Sequence, residues 1–127
     1  MGTRLSAMKS EELIKRLEAL KELGGHPRFY DLILRICELH ARKNHDYAGK
    51  EHPLSNLKRS EEFGVEAWKG TLVRMSDKWD RITHLALDNN PMVKGESILD
   101  TLMDMAVYSL LAVILFEELN DSRNTQT

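Results

Sequence analysis

Hydrophobic positions recur at helical spacing along most of the chain, and no stretch alternates convincingly at the two-residue period of a strand. A first helix is predicted from about Ser6 to Leu23, with Leu13, Leu17 and Leu20 turned inward and Gly24-Gly25 ending it. Pro27 suits the first turn of a second helix, which carries Leu32, Ile33, Ile36 and Leu39 to about Asn44. Residues 45–57 read as a connection rich in turn formers, followed by a short helical segment ending near Gly64. A third long helix covers about Val65 to Leu87 and is broken by Asn89-Asn90-Pro91. Its Trp68, Leu72, Met75, Trp79, Ile82 and Ala86 share one arc and are assigned to the core. The predicted fold is all-α: an antiparallel bundle of four principal helices plus a short extra helix, in one domain over 1–127 with a frayed tail from 120 to 127.

The last helix departs from simple amphipathic patterning. Residues 96–116 are apolar almost all the way round, yet Glu96, Asp100, Asp104 and Tyr108 recur every four residues. At 100° per residue they form one slowly drifting stripe. Such a helix is normally buried, and buried carboxylates are costly unless paired or bound to a metal. The stripe therefore points to a divalent cation or to a facing row of Lys and Arg; the plainer alternative is an edge that faces solvent. The remaining circumference is more apolar than three neighbours can cover. A homo-oligomer is expected, a homodimer or homotetramer with twofold symmetry built on the last two helices.

Two other segments carry candidate chemistry. On the third helix, Asp77, Lys78, Asp80 and Arg81 read most simply as a solvated face with pairs such as Asp77 to Arg81. The alternative adds Asp77 or Asp80 to a metal site and sets Lys78 and Arg81 against phosphate. On the helical wheel Lys78 borders the core arc, whereas Asp77 lies nearly opposite that arc. In the segment Arg42 to Asn56, Asp46, Tyr47 and Asn56 are suited to hold a base or sugar, and Lys43 and Lys50 to meet phosphates. The same composition also makes an ordinary loop, although its length inside a small bundle favours a function.

Composition narrows the classes. A net charge of −2 with 30% charged residues gives no global basic field, so direct nucleic-acid binding is not expected. Cys37 is the only cysteine, which excludes an internal disulfide or a thiolate metal cluster and suits a reducing compartment. The N-terminus lacks a signal-peptide pattern, and Asp100 and Asp104 interrupt the last helix, leaving an apolar stretch too short for a bilayer. The expectation is a cytoplasmic protein with no membrane partner. His45-Asp46 raises an HD-type phosphohydrolase, but His26, His40, His52 and His84 supply no matching ligand pattern.

Taken in order, KNHDYAG, HPLSN, LVRMSDKWDRI and ESILDTLMDMAVY resemble the small phage and bacterial MazG-like proteins of the all-α NTP pyrophosphohydrolase superfamily. The nearest type is the nucleotide modification-associated domain. The shared elements are Lys43, Asn44, Asp46 and Tyr47, then Lys78 and Arg81, then Asp100, Asp104 and Tyr108, within roughly residues 35–116. The N-terminal helix, residues 1–25, lies outside the resemblance. The resemblance implies Mg²⁺-dependent hydrolysis of a (deoxy)nucleoside triphosphate to monophosphate and pyrophosphate, with Mn²⁺ able to substitute, in the cytoplasm of a bacterium or phage-infected host. It also points to phage nucleotide metabolism or DNA base modification.

Asp100 and Asp104 are then the first metal ligands, with Glu96 as a third ligand or as the base that orients water. Asp77 and Asp80 are further metal candidates. Lys78 and Arg81 would stabilise departing pyrophosphate, while Lys43, Asp46, Tyr47, Asn56 and Tyr108 would bind nucleotide. Three departures stand out. The superfamily's Glu-Glu-x-x-Glu is reduced to Ser76-Asp77-Lys78-Trp79-Asp80, its Glu-x-x-Asp becomes Asp100-x-x-x-Asp104, and Ala48 replaces a usual Gly. A non-catalytic nucleotide-binding or sequestering protein with the same pocket is therefore the main alternative. A helical interaction module whose acid stripe meets a basic partner is another.

Overall fold

The computed structural model describes the backbone of residues 9–47, 54–87 and 91–125, and the side chains of all of these except 44–47, 91–96 and 125. The described elements are helical throughout, in agreement with the all-α expectation: α1 (Ser10–Leu23), α2 (Pro27–Tyr47), a 3₁₀ segment (Lys58–Phe63), α3 (Ala67–Leu87) and α4 (Pro91–Thr125). The chain divides into two compact units, Met1–Arg42 and Lys43–Thr127.

In the first unit, α1 gives way at Gly24-Gly25 to α2, whose first residue is Pro27. Proline is tolerated there because the first-turn N–H groups have no intrahelical acceptor. His26 replaces a conventional cap: its Nδ1 accepts the Arg28 N–H at 3.0 Å. Tyr30 donates its hydroxyl to the Gly24 carbonyl at 2.9 Å, and Lys21 pairs with Asp31 at 3.0 Å, so polar contacts fix the turn. Ile36 is buried, while α1 buries none of its residues. The predicted start of α1 at Ser6 lies outside the described residues.

α2 is longer than the sequence pattern indicates. It continues through Tyr47, so Lys43-Asn44-His45-Asp46-Tyr47 form its last turn and not the beginning of a loop. None of these five is Gly or Pro, and turn-prone Asn and Asp yield readily to helix when a long helix precedes them.

The second unit is built on an antiparallel hairpin of α3 and α4, with the 3₁₀ segment against α3. Gly64 ends that segment in the left-handed region, φ 76°, where its N–H reaches the carbonyls of Ser60 and Glu61. Gly70 meets a different demand. A β-carbon there would lie 2.6 Å from Ser60 Oγ and 2.8 Å from its Cβ, so only glycine lets the segment cross α3 this closely.

Leu54, Leu57, Ala67, Leu111 and Leu115 form the core, with Trp68, Val107 and Tyr108 packed against it. Small residues set the helix contact. Thr71 and Thr101 are almost fully buried, and each satisfies its hydroxyl on its own helix, at Ala67 O (2.9 Å) and Ser97 O (2.7 Å). The buried face of α3 is therefore centred on Ala67 and Thr71, about a quarter turn from the predicted arc. Leu72 and Trp79, assigned to the core from their spacing, are 44% and 61% exposed. Periodicity detects an apolar arc but does not say which part of a wide arc a single neighbour covers.

α4 differs from expectation at both ends. It begins at Pro91 and continues past Asn120, the predicted start of a frayed tail, to Thr125. Arg123 secures this last turn through Glu66 at 2.6 Å. By length and composition, the helix over Ser97–Asn124 is long and apolar enough to cross a membrane, its most apolar 18 residues having a mean hydropathy of 1.9. The expectation that Asp100 and Asp104 leave too short a stretch counts uninterrupted apolar residues only, whereas the surrounding side chains keep the average apolar with both acids included.

Candidate functional site

The stripe on α4 resolves into positions with different surroundings. Thr101, Leu111 and Leu115 are buried toward α3, and Asp104 and Tyr108 share their side of the helix. Asp104 is half-buried, which makes an unpaired carboxylate unfavourable. Two ammonium groups compensate it. Lys78 Nζ on α3 lies 3.1 Å from Oδ2, and Lys43 Nζ at the end of α2 lies 3.5 Å from Oδ1. Of the two possibilities opened by the acid stripe, facing lysines are present at Asp104.

Two cations share one carboxylate where three distant segments meet, and Asp100, one turn before Asp104, adds an exposed acid. Lys78 is the more enclosed, at 30% side-chain exposure, while Lys43 is 59% exposed and sits at the longer distance. Such partly solvated pairs contribute no more than about 1 kcal/mol each, so the arrangement is readily exchanged.

The other candidates are distributed around this centre. Asp100, one turn before Asp104, is exposed. Asp77, Asp80 and Arg81 are also exposed, and Asp80 pairs with His84 at 3.6 Å along its own helix. Asp77 lies one residue before Lys78 and Asp80 two after it, at angles that carry both away from the α4 face. Tyr108 is partly buried and its ring packs against the core cluster. Asn56 is half-buried in the turn between Leu54 and Leu57. The side chains of Glu96, Asn44, Asp46 and Tyr47, and the whole of Ala48 and Lys50, lie outside the described residues.

Hard oxygen donors on one helix face suit a cation such as Mg²⁺ in kind. Among the described residues, however, no three His, Cys, Asp or Glu side chains come together as a metal site. Asp100 and Asp104 would need Glu96, one turn earlier, and Asp104 would need its oxygens released by the lysines. On those two conditions the residues fit the cation.

A second polar cluster at the open end of the hairpin has no counterpart in the sequence reading. A cleft of about 180 Å³ is lined by Lys58, Glu66, Trp68, Leu115, Glu118 and Ser122 among others. Its charges are matched locally: Lys58 with Glu118 at 3.0 Å, and Glu66 with both Lys69 at 3.1 Å and Arg123 at 2.6 Å. The Lys69 hydrogen bond, and then the charges of Lys69 and Arg123, hold the Glu66 carboxyl below its ordinary range against an opposing effect of desolvation. The Trp68 indole N–H adds a weak pull in the same direction, although it is buried without an acceptor in hydrogen-bonding geometry. Glu66 and Arg123 stand too far apart in sequence for any local pattern to link them.

Comparison with family models, with curated proteins and with solved structures found no match to this chain.

Proposed function

We propose that the chain is a MazG-like nucleoside triphosphate pyrophosphohydrolase whose site is centred on Asp104. The observation that carries this reading is the convergence of Lys43, Lys78 and Asp104, one residue from each of three motifs, on a single carboxylate. Mg²⁺ or Mn²⁺ would be held by Asp100, Asp104 and Glu96, and when bound supplies charge neutralisation and a more acidic water. Water attacks the α-phosphorus, the bond to the bridging oxygen breaks, and pyrophosphate leaves with the electron pair. Lys78 and Arg81 stabilise the leaving group, and Glu96, where it is not the third metal ligand, is the base that orients the water. Lys43, Asp46, Tyr47, Asn56 and Tyr108 hold the nucleotide. The four-helix arrangement of this family, a role in phage nucleotide metabolism or base modification, and a cytoplasmic location belong to the same proposal.

The decisive experiment screens canonical and modified (deoxy)nucleoside triphosphates with Mg²⁺ and Mn²⁺ and measures pyrophosphate. Turnover by the wild type and its loss in a folded Asp104→Asn variant is the expected result. Absence of pyrophosphate from every substrate would overturn catalysis. The reduced acid signature, Ser76-Asp77-Lys78-Trp79-Asp80, favours the second reading, nucleotide binding without turnover, which predicts saturable binding in the same screen with no product.

The proposal includes a symmetric homodimer or homotetramer. Leu99, Leu102, Leu110 and Val113 lie on the side of α4 opposite its buried stripe, and all are at least half exposed. A contiguous apolar stripe of this kind is covered most economically by its own copy. Sedimentation should show a dimer or tetramer at micromolar concentration, shifted toward monomer by Leu102→Lys with Leu110→Lys. A monomeric wild type would refute self-association.

A further inference from the structure

A half-buried carboxylate held by two lysines is an arrangement that a competing anion can dismantle. A polyphosphate presents several negative charges, so it competes with a single carboxylate for both ammonium groups. Lys43 is the more exposed of the two and lies at 3.5 Å, so it is the first to exchange; Lys78, at 3.1 Å, completes the transfer. Asp104 is then left half-buried and uncompensated, a condition that favours a cation with hard oxygen preference.

We propose that Lys43 and Lys78 form a displaceable clamp on Asp104, which makes the phosphate-binding and cation-binding halves of the site conditional on one another. The proposal rests on the nucleotide-and-metal reading of this site and adds its regulation. In the absence of nucleotide the ammonium groups occupy the oxygens that a divalent cation needs. In the absence of a cation the carboxylate occupies the ammonium groups that phosphate needs. Each ligand releases the receptor of the other, and linkage requires this coupling to be reciprocal. The clamp keeps the half-buried acid neutralised between ligands and suppresses capture of cation without nucleotide.

Titrations with one ligand at a time test the clamp without turnover and without metal–nucleotide complexes in solution. The first uses inorganic tripolyphosphate and the four deoxynucleoside triphosphates in EDTA. Asp104→Asn should bind them about threefold to tenfold more tightly than the wild type, because the lysines lose their competitor. The second uses Mn²⁺ alone, followed by loss of the free-ion paramagnetic signal. Lys43→Met and Lys78→Met should each bind Mn²⁺ more tightly by a factor of similar order. Lys43 is exposed, so its variant retains the fold even if Lys78→Met does not.

Triphosphate affinity unchanged or weakened in Asp104→Asn, together with Mn²⁺ affinity unchanged or weakened in Lys43→Met, overturns the clamp while the nucleotide site stands. Folded wild type and variants that bind neither triphosphate nor Mn²⁺ overturn the functional reading and the clamp with it.

Discussion

The open end of the α3–α4 hairpin and the stretch nearer its closed end use similar residues in different ways. At the open end Glu66 meets Lys69 and Arg123, Lys58 meets Glu118, and these pairs surround an edge-to-face contact of Trp68 and Phe116 with centroids 5.1 Å apart. Leu115 lies beneath them at 3% exposure. Nearer the closed end Lys43 and Lys78 share Asp104, with exposed Asp100 one turn away. The first end gathers its charge pairs around a packed apolar centre. The second sets two lysines on one half-buried acid through partly solvated pairs that contribute little stability. Closely packed and loosely held charge are thus separated along one pair of helices.

Truncation at the two ends should expose that separation most clearly. Leu115→Ala removes a fully enclosed side chain, and lost transfer energy plus the resulting cavity should cost about 2–5 kcal/mol. Lys78→Met should change stability by no more than about 1 kcal/mol, because its partly solvated pair contributes little and the methionine retains the apolar stem. Denaturant unfolding of both variants checks this contrast. Equal losses would mean that the Asp104 end is a structural element and would remove its distinction from the packed end.

Much of the fold is legible in the sequence because helix ends obey local chemistry. Gly24-Gly25, Pro27, Gly64 and Pro91 all mark observed boundaries, and the 3.6-residue period identifies each long helix. Errors arise where tertiary contacts decide. Leu72 and Trp79 share an apolar arc with core residues, but α4 approaches over Ala67 and Thr71, whose small side chains permit close contact. The turn residues after Lys43 extend α2, and Arg123 anchors a tail whose composition is that of a loose end.

At the site, the stripe identified Asp104 and the wheel separated Lys78 from Asp77, yet neither could establish which cation would face the acid. That pairing depends on two contacts spanning long sequence separations. The Glu66–Arg123 pair was illegible for the same reason. A motif reports residues that act together only when their spacing is local or their order is familiar.

The smallest effect belongs to Glu66, and its sign distinguishes a structural carboxylate from a receptive one. Lys69 and Arg123 depress its folded-state pKa below the ordinary 4.5, so the folded state releases this proton more readily than the unfolded chain. Its contribution to stability is therefore fully present above the ordinary value and is lost as pH falls through the depressed one. Glu66→Gln keeps the size and hydrogen-bonding capacity of the side chain but removes the titration. Wild type should melt slightly above this variant at neutral pH, and the difference should shrink to zero in acid. Added salt should shrink it at neutral pH too, since the group is only partly enclosed and its partners are solvated. Paired melting curves across pH and salt provide the check. A gap that persists in acid would show that Gln disturbs packing beside Trp68, and the Glu66 end would then owe its stability to shape more than to charge.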